Sequence, residues 1–172
     1  MVSINAQSYG KGLPAVAEFW GMSSKATSGS IRFHYVAQQF PFAHRTSLKK
    51  FLLDLAKEEG MGVEAINYIF CSDEYLLEIN RQHLNHDTYT DIITFPFSPQ
   101  GAPILSDIYI SVERVRENAG KYGHSFAAEL HRVIFHGLLH LCGYKDKKKE
   151  EQKAMREREE YWLGRYFGST WN

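Results

Sequence analysis

The chain has 172 residues, of which 44% are hydrophobic and 23% charged, and its 20 basic and 20 acidic side chains give a formal net charge of zero. That length suits one domain with a real core. The charge balance argues against a strongly basic, non-specific nucleic-acid binder but allows a local patch, and no apolar run approaches the ~18 residues of a membrane span.

Residues 1–30 are rich in Gly, Ser and Ala and lack a hydrophobic period, and Ser23–Ser30 reads as a flexible linker. Met22 is a candidate for the true start, and the N-terminus lacks the basic-then-apolar layout of a secretory signal. A single domain is predicted over residues 31–172, opening with an alternating strand from Ile31 to Val36. Ser47 is the expected N-cap of a helix running to about Glu59, with Leu48, Phe51, Leu52, Leu55 and Ala56 on one stripe; Gly60 and Gly62 end it. A second strand is predicted from Ala65 to Cys71, then a helix capped by Ser72 and reaching about His83. Asn85 to Tyr89 reads as a loop, Asp91 to Phe95 as a third strand closed by Pro96, and residues 98–103 as a turn before a fourth strand from Ser106 to Ser111. Three more helices are expected: Val112 to Tyr122, stopped by Gly123; Phe126 to Cys142, capped by Ser125; and a charged one from Lys147 to Phe167. Strands with interspersed helices predict an α+β or mixed α/β layer fold.

The chemistry concentrates where His136 and His140 lie four residues apart near the end of an apolar-periodic helix. Side chains at that spacing share a face, so both imidazoles can reach one divalent cation. Gly143 stands where the helix needs a left-handed residue to stop, and the turn it permits brings Asp146 back toward the histidines. Two nitrogens, one carboxylate oxygen and an open position are a common catalytic zinc arrangement, although the same set also suits iron, nickel or manganese. The peptidase motif His-Glu-x-x-His carries its general base directly after the first histidine, where this chain has Gly137. The expected reaction is therefore metal-assisted hydrolysis other than ordinary peptide cleavage.

The run His136-Gly-Leu-Leu-His140-Leu-Cys-Gly143-Tyr-Lys-Asp146 resembles the signature of the YbeY family, usually His-Gly-x-Leu-His-Leu-x-Gly-Tyr-Asp-His. The segment Ile79 to Pro96 and the run Ser106-Asp-Ile-Tyr-Ile-Ser111 resemble two further blocks of that family, and the likeness extends from about Ile31 to the C-terminus. The resemblance implies an α+β fold with a small four-stranded, mostly parallel sheet containing one antiparallel strand. It also implies a cytoplasmic, zinc-dependent endoribonuclease specific for single-stranded RNA. Such an enzyme acts on ribosomal RNA, at the 3′ end of the small-subunit RNA and in ribosome quality control, beside small-subunit proteins. His136, His140 and Asp146 would hold one Zn2+. The family's third ligand is usually His, and a carboxylate is an acceptable replacement with altered charge. The preceding Asp is Lys145 here, and an Arg tied to activity in the family is Leu84; Arg81, one helical turn earlier, is the candidate substitute.

Around this site Glu129 lies within about 20° of His136 on the helical wheel. It reads either as a carboxylate supporting a ligating imidazole, and a weak general-base candidate beside His136, or as a helix-start acid stabilised by the dipole. Arg132 reads as a surface residue or as a partner for a carboxylate or phosphate, and His131 faces away. His83, His86 and Asp87 either satisfy turn bonds or touch the RNA backbone, while Thr90 and Asp91 fix the loop to its strand. Tyr144 and Phe97 pack in the core or stack a base. Lys145, Lys147, Lys148 and Lys149 form a solvated helix start or a phosphate rail. Cys71 and Cys142 read as reduced thiols. Two rival functions remain: a metal hydrolase of another substrate class, and a non-nucleolytic ribosome assembly factor with a structural zinc.

Overall fold

The computed structural model describes residues 29–36, 40–84 and 86–168. The flexible extension expected over residues 1–30, Met22 included, lies outside the described residues except for Gly29 and Ser30. Ser30 already belongs to the first strand.

Four strands form one sheet: β1 (Ser30–Tyr35), β2 (Val63–Cys71), β3 (Ile92–Pro96) and β4 (Ile104–Ser111), in the order β1-β2-β4-β3. β1 pairs with β2 and β2 with β4 in parallel, and β3 runs antiparallel to β4 with Ile92 opposite Ile110 and Phe95 opposite Asp107. The α+β reading and the single antiparallel strand both hold. β2 and β4 each begin two residues earlier than their hydrophobic runs suggested. The Ile104 N–H donates to the Gly62 carbonyl at 2.8 Å, and that bond zips the two strand starts together ahead of a bulge at Val63/Ala65.

Five helices surround the sheet: α1 (Arg45–Glu58), α2 (Asp73–Leu84), α3 (Val112–Tyr122), α4 (Phe126–Leu141) and α5 (Lys149–Phe167). Ser47 is not the cap of α1; the helix starts at Arg45, after His44 in a left-handed conformation with φ 56°. Aromatic packing sets that entry instead of side-chain capping, since Phe42 sits edge-on to Phe33 and Phe70, 5.2 and 5.5 Å between centroids. α5 begins at Lys149, two residues after the expected start, because the Glu151 carboxylate accepts the Lys147 and Lys148 N–H groups, each at 3.0 Å.

Strand alternation divides the core. Tyr68, Ile92, Ile108 and Ile110 face α4 and join Leu52, Val115, Leu138 and Trp162 in the larger cluster. Ile69, Cys71, Ile93, Phe95 and Tyr109 face the other way, where α2 covers them with Leu76 and Leu84. α4 is enclosed nearly all round, by the sheet, α1, α3 and α5. Both cysteines are free, and burial pushes each thiol up to about 12. Among the described residues no helix is long and apolar enough to cross a membrane.

Candidate metal centre

α4 is fixed at both ends by its own sequence. Ser125 caps its start, accepting the Ala128 N–H at 3.1 Å. At its end Gly143 turns left-handed, with φ 103°, while the Tyr144 N–H reaches back to the Leu139 carbonyl at 3.1 Å and the Gly143 N–H to His140 at 3.0 Å. This pair of bonds is a Schellman turn, which reverses the chain directly after the second histidine. The turn is anchored from outside by Glu59. Its carboxylate accepts from the Tyr144 hydroxyl at 3.0 Å and the Trp162 indole at 2.7 Å, and pairs with Arg158 at 2.5 Å.

The reversal places Asp146 against the helix it has just left. Donor atoms of His136, His140 and Asp146 lie within 4.8 Å of one another. The two histidine Nε2 atoms are 3.0 Å apart, and Asp146 Oδ2 is 3.9 Å from His136 Nε2 and 3.6 Å from His140 Nε2. Tetrahedral bonds of about 2.0–2.2 Å set donors about 3.3–3.6 Å apart, so this triangle has the right size for one small cation.

The rings are oriented by what holds their other nitrogens. His136 Nδ1 lies 2.5 Å from Glu159 Oε1, and His140 Nδ1 lies 2.8 Å from the Tyr144 carbonyl oxygen. Both acceptors require the proton on Nδ1, which leaves a lone pair on each Nε2, and these lone pairs meet across 3.0 Å. Two facing lone pairs repel unless a cation lies between them, so the residues present fit a metal. Burial and the neighbouring His136 hold the His140 pKa below its ordinary value, which favours the neutral, ligating form.

Behind the histidines runs a buried ion network. Arg132 bonds Glu129 through Nη2 at 2.5 Å and Nε at 2.8 Å, and Glu159 through Nη1 at 3.2 Å. Burial disfavours charge on Glu159, yet the hydrogen bond to His136 and the guanidinium of Arg132 outweigh it and hold the carboxyl below its usual range. One cationic Arg132 set against Glu129, Glu159 and Asp146 leaves excess negative charge that a divalent ion would balance.

Several expected residues sit elsewhere. Glu129 is 0% exposed and engaged by Arg132 and His124, so the carboxylate supporting His136 is Glu159, from a helix 23 residues on. Arg132 is half-buried between two acids, the carboxylate partner and not the surface residue of the two readings its sequence allowed. Leu84 is 3% exposed in the smaller core cluster, on the sheet face away from α4. Arg81 pairs with Asp87 at 2.6 Å in an exposed bridge, and the His83 ring packs edge-on to Phe95 at 6.1 Å.

Two cavities flank the cluster. The larger, about 710 Å3, is lined by His136, Asp146, Tyr122, His124, Gln152 and Arg156 among others. The smaller, about 340 Å3, is bounded by His140, Gly143, Tyr144, Lys145, Pro96 and, from the β3–β4 connection, residues 98–102. Arg81, His83, His86, Asp87 and Phe97 border neither. Lys145 borders the smaller one, whereas Lys147 and Lys148 serve the start of α5. Gly137 packs against the sheet: a Cβ there would lie 2.7 Å from Ile92 Cδ1 and 3.2 Å from Ile108 Cγ2. A glutamate at that position would therefore collide with the core before it could serve as a base.

Comparison with known proteins identifies the family. An Endoribonuclease YbeY from Cytophaga hutchinsonii is 48% identical over 131 residues, 76% of this chain and 92% of the relative. An Endoribonuclease YbeY from Bacteroides thetaiotaomicron is 45% identical over 130 residues, covering 76% of this chain and 94% of its own. Among solved structures, the solution structure of TM1509 from Thermotoga maritima superposes with a TM-score of 0.58 at 29% identity, over 80% of this chain and 89% of that one. The family profile described as Endoribonuclease YbeY matches residues 33–166, so the chain belongs to that family.

Proposed function

We propose that this chain is a zinc-dependent endoribonuclease that cleaves single-stranded RNA, with His136, His140 and Asp146 as the metal ligands. Its natural substrate is ribosomal RNA, in maturation of the small-subunit 3′ end beside small-subunit proteins in the cytoplasm. The observation that carries the reading is the pair of Nε2 lone pairs converging with Asp146 at the junction of two cavities. The relatives' name supports RNA as the substrate class.

A cation in this set would polarise a phosphoryl oxygen and lower the pKa of an attacking water. Everything else falls to the chain. Glu159 and the Tyr144 carbonyl hold the Nδ1 protons, so both imidazoles present Nε2. The hydrogen bond to His136, with Arg132 behind it, keeps Glu159 ionised and in place. Glu129, closed off by Arg132, is not available as a base. A structural zinc is normally enclosed by four protein ligands, whereas the described residues converge only three donors beside open cavities, which favours a catalytic site over an assembly scaffold.

The test is cleavage of single-stranded and duplex RNA by the zinc-loaded chain. Cutting confined to the single strand, abolished by a chelator and by His136→Ala, is expected. A zinc-replete wild type that leaves every single strand intact would contradict the reading.

A further inference from the structure

We propose that the larger cavity is the cleft that grips the RNA strand, with Tyr122 stacking on a base beside the bond to be cut and Arg156 taking the adjoining phosphate. This deepens the endoribonuclease reading and rests on it.

Tyr122 is the last residue of α3 and is 52% exposed. Gly123, with φ 72°, turns the chain directly after it, so the ring stands at the rim instead of continuing into a packed helix. The His124 ring follows 6.3 Å away, tilted by 44°, which gives the rim two aromatic surfaces. Both residues line the same cavity as His136 and Asp146. Every base offers a π-face, and an aromatic platform therefore holds an unpaired strand without reading its sequence. Duplex bases are already stacked on each other and cannot use it. Single-strand preference would follow from Tyr122 and not from the metal cluster.

The second observation is a charge without a partner. Arg81, Arg114, Arg132, Arg158 and Arg165 each pair with a carboxylate. Arg32, Arg45, Arg116 and Arg156 make no ion pair among the described residues, and of these four Arg156, which is exposed, is the one that lines the cavity. It stands three residues before Glu159 on α5, hence on the same helix face as the carboxylate that holds His136. A guanidinium there can bind two oxygens of one phosphate. Glu160 borders the same cavity, so the attraction is local and not a broad positive field.

The test measures binding of the zinc-loaded full chain to an RNA strand protected by 2′-O-methyl groups and carrying 2-aminopurine, and to its duplex. Tyr122→Ala should weaken single-strand binding about tenfold and remove the fluorescence quenching, whereas Tyr122→Phe should stay within about twofold. Arg156→Ala should lower the slope of log affinity against log salt by about 0.7, the value for one phosphate contact on a single strand, and Arg156→Lys should keep it. A wild type that binds the strand while both alanine variants match it in affinity and slope overturns the cleft assignment and leaves the endoribonuclease reading standing. A wild type that neither binds nor cleaves any single strand removes both.

Discussion

On one face of the sheet, Gly137 lets α4 lie close upon Ile92 and Ile108, and the helix carries its two histidines to the edge of that contact. On the other face, α2 closes a small apolar cluster with Leu76 and Leu84, and its polar residues Arg81 and His83 turn to solvent or to Phe95. Both faces are well packed; the first brings Arg132, Glu129, Glu159 and His136 together in a buried ionic network, while among the described residues the second holds a single buried carboxyl, Asp107, against Asn67 at 2.8 Å. Function follows from where the backbone turns back on itself, at Gly143, more than from how many polar residues a segment holds.

The largest expected separation between the faces is in stability. Leu84→Ala removes a buried side chain and should cost about 2–5 kcal/mol in denaturant unfolding, while zinc affinity of the folded fraction stays at the wild-type value. Glu159→Gln should do the reverse, weakening zinc binding about 10–100-fold by releasing His136, with a smaller change in unfolding free energy. A Glu159→Gln protein that titrates with zinc like wild type would remove Glu159 from the site. Gly137→Ala couples the two effects: its Cβ presses on Ile92, at about 1–3 kcal/mol for over-packing, and shifts the helix that carries both histidines.

Acid should also discriminate. Burial holds the pKa values of His131 and His140 below the ordinary 6.5, so the unfolded chain binds more protons than the folded one as pH falls past that value. Stability of the zinc-free protein should therefore be full above about pH 6.5 and decline below it. His131→Phe should flatten that decline in thermal melts at several pH values, and an unchanged profile would count against the assignment. The smallest effect is expected at Arg81, whose exposed bridge to Asp87 is worth at most about 1 kcal/mol; Arg81→Ala should leave both stability and cleavage nearly unaltered.

The strands, the helix order and the histidine–glycine–aspartate run were legible because each rests on local rules: alternation, helical spacing, and a glycine where the backbone turns left-handed; the mostly parallel topology of the sheet came from the family resemblance alone. Glu159 was not, since its partner lies 23 residues away and a glutamate in a charged helix carries no mark of burial. For Arg132 the carboxylate-partner reading holds over the surface one; Glu129 lies three residues earlier on the same helix, but its second acid, Glu159, comes from α5 and was not legible. The start of α1 was set by Phe42 packing on a strand, a tertiary contact that overrode the capping signal of Ser47. Arg81 was a candidate only through the family resemblance, as a substitute one helical turn before Leu84, and the sheet lies between its helix and α4.

X-ray absorption at the zinc edge of the loaded full chain tests the centre most directly. The arrangement of His136, His140 and Asp146 predicts two imidazole nitrogens at about 2.0–2.1 Å and the remaining neighbours oxygen at about 2.0–2.2 Å. Sulfur at about 2.3 Å, or a third imidazole in the shell, would contradict it.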